Sequence, residues 1–188
     1  ALDTHLKWQI ETALREILMG QNIAAILVTH DRDEAFRIAQ EIATVDRGQL
    51  TPPMDRHELF RSPGTCAGAR LTGCKNISAA RRRDAAHIEA TDWGITLAVT
   101  DDVTDAHHIA IRAHYFVPVQ EDGENVFPAQ IAEIIESTFS MIVMLRFAAG
   151  AHLVRWEVDK PAWEALHVSE NASLRICFPP DALMLLRD

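Results

Sequence analysis

The chain has 188 residues, 48% of them apolar, and a formal net charge of −9, which suits one large domain or two small ones with filled cores. No run approaches the ~20 apolar residues of a membrane span, and no basic stretch followed by an apolar core marks a secretory signal. Residues 1–80 hold 9 basic and 10 acidic side chains, whereas residues 81–188 hold 9 and 17, so the second part would repel a polyanion and argues against nucleic acid as a partner.

In chain order, "DTHLKWQIETALREILMG" sets Leu6, Ile10, Ala13, Leu14, Ile17 and Leu18 on one helical face, with Asp3 or Thr4 to cap it and Gly20 to stop it. "IAAILVT" (23–29) is short, continuously apolar and partly β-branched, as expected of a parallel-sheet strand covered on both faces. "DRDEAFRIAQ" reopens a helix with Asp31 as N-cap and Glu34 as capping-box partner. "IATVDRGQL" reads as a strand turning through Asp46-Arg47-Gly48 into another short strand. "MDRHELF" starts a further helix, with Asp55 and Glu58 as a second capping box and Met54 and Leu59 at staple spacing.

From about residue 75 the pattern becomes short alternating strands: "ISAARRR", "HIEATDWGITLAV", "HIAIRAHYFV", "VFPAQIAEIIE", "SMIVMLRF", "HLVRWEV" and "SLRICF". Turn chemistry at Asp92-Trp93-Gly94, Asp122-Gly123-Glu124-Asn125 and Ala149-Gly150 separates them, a spacing that predicts a small β-barrel or sandwich. "PAWEAL" (161–166) is the one helical turn expected inside it, with Pro161 at its first position. The boundary falls near Gly73 with no long linker, dividing the chain into 1–73 and 74–188. The fold class is α+β overall: a partial α/β lobe followed by a small antiparallel β-barrel.

Several groups invite functional readings. Cys66, Cys74 and Cys177 form no C-x-x-C pair and are odd in number, which fits reduced cytosolic thiols better than a disulfide framework or a zinc site. His107-His108 with Asp105, and His114 nearby, could suggest a metal. Adjacent strand histidines point to opposite faces, however, so the run offers one histidine with one aspartate. Arg81-Arg82-Arg83, answered at once by Asp84, reads as a solvated strand end or turn. Trp8, Trp93, Trp156 and Trp163 read as core and interface residues. No Ser-His-Asp or Cys-His arrangement has a local signature. His30, at the end of its apolar run and just before a helix, stands where open α/β sheets bind ligands and could hydrogen-bond a phosphate oxygen or a water.

The stretch "VTHDRDEAFRIAQEIATVDRGQL…ELFRSP" resembles the end of the nucleotide-binding subunit of ATP-binding-cassette (ABC) importers, in the family's order and spacing over residues 1–72. The resemblance implies that His30 belongs to the H-loop, which senses the γ-phosphate, and that "ALD" is the D-loop, with Asp3 its aspartate. The phosphate loop G-x-x-x-x-G-K-[ST], the signature serine-glycine stretch and the strand with the catalytic glutamate are absent from the sequence. The chain therefore looks like a C-terminal portion of such a subunit, starting at the D-loop without a methionine, and is not expected to hydrolyse ATP by itself. ATP and Mg2+ are implied for the full-length parent, with no cofactor expected for this piece. Transmembrane permease subunits are implied as partners, and a cytoplasmic place on the inner face of the membrane follows.

"IAIRAHYF" and "LRICFPPDALMLL" resemble segments of the OB-like accessory β-domain (TOBE/MOP type) behind importer ATPases. "ARLTGCKNIS" resembles the junction in molybdate, tungstate or sulfate importers. In molybdate-binding members the resemblance implies a Thr-x-x-Ser-like step before a short helix and a lysine in the last strand. Here Asp159, Ala162 and Pro179 stand at those places, where an aspartate repels an anion and an alanine offers no hydroxyl. Lys160, Ser137 and Thr138 are the remaining oxyanion candidates. Two readings result: a component of an importer ATPase whose β-domain regulates or dimerises it, with a homodimer expected, or a free-standing oxyanion-binding module with a vestigial α/β lead.

Overall fold

The computed structural model describes residues 4–21 and 24–188. The chain divides into two compact units, one up to Phe60 and one from Arg61 onward. Asp3 and Ile23 lie outside the described residues.

In the first unit, α1 (Thr4–Gln21) forms as its periodicity predicts. Its apolar face is only partly covered, with Leu6, Ile10 and Ile17 each about half exposed. The tightly held side chain on this helix is instead Glu11, whose carboxylate accepts from Arg37 Nε and Nη2 at 2.9 and 2.6 Å. Arg37 belongs to α2 (Arg32–Ile38), which begins at Asp31 as expected. The Asp31 carboxylate accepts from the N–H groups of Asp33 and Glu34 at 2.9 and 3.1 Å, satisfying donors that a helix start leaves free. Four two-residue strands follow: β1 (Glu41–Ile42), β2 (Val45–Asp46), β3 (Gln49–Leu50) and β4 (Met54–Asp55). β2 and β3 form the expected hairpin, and Arg47 and Gly48 both take positive φ (47° and 79°). Two consecutive left-handed residues match the right-handed twist of a hairpin, and glycine adopts that conformation without a Cβ penalty. β1 pairs antiparallel with β4, and α3 (Arg56–Arg61) starts on the Asp55 carboxylate, which accepts from the N–H groups of His57 and Glu58.

One expectation fails here. Residues 24–29 form no strand, and Ile26 and Val28 are 95% and 92% exposed. A continuously apolar parallel strand needs a neighbour on each edge and cover on both faces. Every described pairing in this chain is antiparallel and none involves this segment. The apolar run is real, but nothing described in the chain completes a sheet around it.

The second unit opens with α4 (Cys66–Leu71), capped by the Thr65 hydroxyl, which accepts from the Gly68 N–H at 3.0 Å. The sequence reading passed over this helix, although Pro63-Gly64-Thr65 is a recognisable start signal. Two five-stranded antiparallel sheets follow. One contains β5 (Asn76–Arg82), β6 (His87–Ala90), β7 (Ile95–Ala98) and β8 (His108–Ile111), in the order β14-β8-β5-β6-β7 once β14 (Leu183–Leu186) returns to its edge. The other contains β9 (Val117–Val119), β10 (Val126–Glu136), β11 (Ser140–Arg146), β12 (Val154–Asp159) and β13 (Ser173–Cys177), in the order β12-β11-β10-β13-β9. The predicted strands are present, except that "HIAIRAHYFV" is strand only over β8, turns through residues 112–116, and enters the other sheet as β9. The segment "LRICFPPDALMLL" splits at Pro179-Pro180, and β14 crosses to the first sheet beside β8. Proline has no N–H for a ladder, so a strand breaks there. Helix α5 (Lys160–Leu166) lies between β12 and β13 with Pro161 in its first turn.

The core sits between the sheets. Phe178, fully buried, is its hub: the rings of Trp93, Phe116, Phe127 and Phe147 lie 6.0, 4.9, 5.8 and 5.0 Å from it. Two buried asparagines tie the sheets together. Asn76 in β5 accepts from the Arg155 N–H and donates to the Arg155 carbonyl in β12, both at 2.8 Å. Asn125, ahead of β10, accepts from the Ala98 N–H at 2.7 Å and donates to its carbonyl at 2.8 Å. Truncating Phe178 to alanine should cost about 3–5 kcal/mol of unfolding free energy. Asn76→Ala leaves the partly buried Arg155 N–H and carbonyl without this partner and should cost about 1–3 kcal/mol in all. Urea unfolding followed by circular dichroism measures both, as a lower midpoint with an unchanged slope.

Candidate functional site

His30, the first candidate, lies in a bend at the end of the unpaired segment and is exposed. Its surroundings are ordered by α2. The Asp31 N–H donates to Thr29 Oγ1 at 3.0 Å, and that hydroxyl donates to Glu34 Oε2. Glu34 thus reaches back over the helix start as the capping-box pattern expects, but through the Thr29 hydroxyl. The arrangement fixes the backbone on the C-terminal side of His30 and leaves its imidazole facing solvent.

The second candidate region surrounds α5. A groove of about 480 Å³ opens there, and Phe116, Trp156 and Pro118 supply apolar wall while His114, Glu157 and Asp159 are among its polar groups. Asp159 is the N-cap of α5, and its carboxylate accepts from the Ala162 N–H at 2.7 Å. The chain's own anion therefore occupies the donor that an incoming oxyanion would take. Glu157 adds a second carboxylate, held by Arg155 at 2.7 Å. Lys160 does not face the groove as a free cation, because its ammonium pairs with Glu136 in β10. That hydrogen bond from Lys160 holds the Glu136 carboxyl below its ordinary range.

Ser137 and Thr138 lie in the exposed turn between β10 and β11, one and two residues beyond Glu136. The Ser137 N–H donates to the Ser140 carbonyl at 2.9 Å. The structure thus brings Lys160 to the strand end that leads into Ser137 and Thr138, but by way of an ion pair. Pro179 lies two residues beyond β13, at the crossover to the other sheet. Ser140 also lines the groove, through its register opposite Asp159. No sequence motif singles out Ser140, since only strand pairing opposite Asp159 brings it to α5.

No family model matches the chain. It is 28% identical over 183 residues to the spermidine/putrescine import ATP-binding protein PotA of Rubrobacter xylanophilus, a match covering 93% of this chain and 48% of that protein. It is 37% identical over 73 residues to the Fe(3+) ions import ATP-binding protein FbpC of Haemophilus influenzae, covering 39% of this chain and 21% of that one. The sulfate/thiosulfate import ATP-binding protein CysA 2 of Chromobacterium violaceum is 27% identical over 111 residues, 59% of this chain and 30% of its own length. The chain thus spans less than half the length of each of these relatives. A molybdate-bound structure of the cytoplasmic molybdate-binding protein ModG aligns with 62% of this chain and 98% of its own, at a TM-score of 0.48 and 15% identity. A match over 183 residues takes in both units, and the chain is a homologue of the ATP-binding subunits of ABC importers.

Proposed function

We propose that this chain is the C-terminal portion, from the D-loop onward, of the ATP-binding subunit of an ABC importer. Residues 1–73 are then the end of the nucleotide-binding domain, and residues 74–188 are a TOBE/MOP-like domain that regulates or dimerises it. The observation that carries this reading is the 183-residue match to an import ATP-binding protein. ATP and Mg2+ are the substrate and its ion in the full-length parent, and transmembrane permease subunits are its partners. Its place is cytoplasmic, peripheral on the inner face of the membrane. Among the described residues no helix is long and apolar enough to cross a membrane.

Within this proposal Asp3 is the D-loop aspartate and His30 the γ-phosphate sensor. The residues present do not make a nucleotide site alone, because the 188 residues contain no glycine-rich phosphate loop with its lysine. His30 suits the assigned role in that it is exposed and stands immediately before the capped start of α2. The relatives are named for importing polyamines, Fe(3+) and sulfate or thiosulfate, which span polycations, a metal ion and oxyanions. A molybdate-type oxyanion is the solute proposed from the junction sequence, while Lys160, Ser137 and Thr138 are candidate oxyanion ligands only in the alternative reading. The alternative of a free-standing oxyanion-binding module is the weaker reading, because the Asp159 carboxylate already takes the Ala162 N–H. Homodimerisation completes the proposal. Covering the exposed Ile26, Val28, Leu6 and Ile10 at ~25 cal/mol per Å² is worth several kcal/mol.

Three measurements test this. The isolated chain should give no saturable heat with millimolar Mg-ATP in calorimetry, whereas the protein carrying the phosphate loop upstream of Ala1 should hydrolyse ATP. In that longer protein, His30→Ala should lower turnover by about tenfold or more, a loss of ≥ ~1.4 kcal/mol in transition-state stabilisation. A micromolar dissociation constant for the isolated chain would defeat the assignment.

Molybdate should leave the melting temperature of the chain unchanged. Replacing Asp159 by Thr together with Ala162→Ser keeps a capping hydroxyl, removes the repelling charge and should bring a molybdate-dependent rise. A rise of several degrees already in the unaltered chain would contradict the loss of the site.

Light scattering at micromolar concentration should give twice the 21.0 kDa of one chain. A sharp monomer would remove homodimerisation from the proposal.

A further inference from the structure

Away from the groove, three side chains from distant parts of the second unit converge. Cys66 is the first residue of α4, His108 the first of β8, and Asp188 follows β14 by two residues. The Cys66 sulfur, a ring nitrogen of His108 and a carboxylate oxygen of Asp188 all lie within 4.8 Å of one another. The backbone holds them there. His108 pairs with Leu186 on one side and Ala79 on the other, the Arg187 N–H donates to the Gly64 carbonyl at 3.0 Å, and the Cys66 N–H donates to Asp188 Oδ1 at 2.7 Å.

His108 carries an independent signal. Its Nδ1 is buried and meets no hydrogen-bond partner among the described residues. A buried ring nitrogen left without a partner is costly and calls for a ligand or a bond. A nucleophilic role for the thiol is disfavoured, because burial and the Asp188 carboxylate push Cys66 up to about 11, opposite to the lowered pKa of reactive cysteines.

From this convergence we propose that Cys66, His108 and Asp188 form a binding site for a thiophilic divalent transition ion of the zinc class. Sulfur, imidazole and carboxylate form a donor set that suits such an ion and disfavours Mg2+ and Ca2+, which take oxygen ligands. Bonds of about 2.3 Å to sulfur and about 2.0–2.2 Å to nitrogen and oxygen place tetrahedral donors about 3.3–3.7 Å apart, so a small inward shift of the observed trio encloses the ion. Binding replaces the thiol proton by the metal, and one proton leaves to solvent. Three protein donors leave a fourth position for water. The site ties the N-terminus of α4 and the segment after β14 to the sheet. It differs from the His107, His108, Asp105 and His114 run of the sequence reading, since only His108 takes part.

Metal-free protein titrated with Co2+ should develop the ultraviolet thiolate-to-cobalt charge-transfer band, saturating at one equivalent. Zn2+ should displace the cobalt, abolish the band and raise the melting temperature. Cys66→Ser should lose the band, which separates this site from Cys74 and Cys177. His108→Gln should weaken cobalt affinity about tenfold or more, with the wild-type circular dichroism spectrum as the fold control. If either of these variants fails to fold, Asp188→Asn, at an exposed position that keeps an acceptor for the Cys66 N–H, carries the same affinity test. Absence of the band in the unaltered protein, its persistence in folded Cys66→Ser, or unchanged affinity in folded His108→Gln or Asp188→Asn overturns the proposal.

Discussion

The β-unit depends on two side-chain amides, those of Asn76 and Asn125, that stand where a strand would otherwise continue. Each presents a donor and an acceptor to the backbone of one residue in the facing sheet, Arg155 for Asn76 and Ala98 for Asn125. Two sheets facing across an apolar core have no ladder between them, so their edges would leave N–H and C=O groups buried without partners. An asparagine amide has the shape and polarity of a peptide group and can complete both bonds at once. The register of the two sheets, and with it the position of Phe178 among its four aromatic neighbours, is thereby set.

The same constraint shapes the region around α5. β12 carries Arg155 at the Asn76 bridge and ends at Asp159, so the strand that joins the sheets also delivers the helix cap. A short helix start is a favourable place for negative charge, and here a covalently attached carboxylate meets that preference. An internal carboxylate needs no binding event, so a free anion would have to displace it while also facing Glu157. Lys160, one residue later, is turned to Glu136. The electrostatics of this face are therefore locally satisfied.

The first unit has a different balance. Its order comes from caps, a hairpin and a few polar clamps such as Glu11–Arg37 and the Thr44–Thr51 hydroxyl pair at 3.1 Å, while Ile26, Val28 and half of the α1 apolar face meet water. Local bonds suffice to form these elements, but they do not supply the buried area that usually carries a domain. Apolar surface at this density invites cover.

What the sequence by itself determined was the local chemistry. Asp31, Asp55 and Gly48 announced their caps and turn, alternating residues announced the strands from 76 onward, and the "THDRDEAFRIA" run announced the relatives. Such signals act over three or four residues, through hydrogen bonds that each segment can make alone. The tertiary structure decided what depends on partners far along the chain. It left residues 24–29 unpaired despite their strand-like composition, sent β14 across to β8, engaged Lys160 with Glu136, and gathered Cys66, His108 and Asp188 from three separated segments. A strand or a ligand cluster is complete only when its neighbours arrive, and those neighbours are chosen by burial and register, which no short stretch of sequence contains.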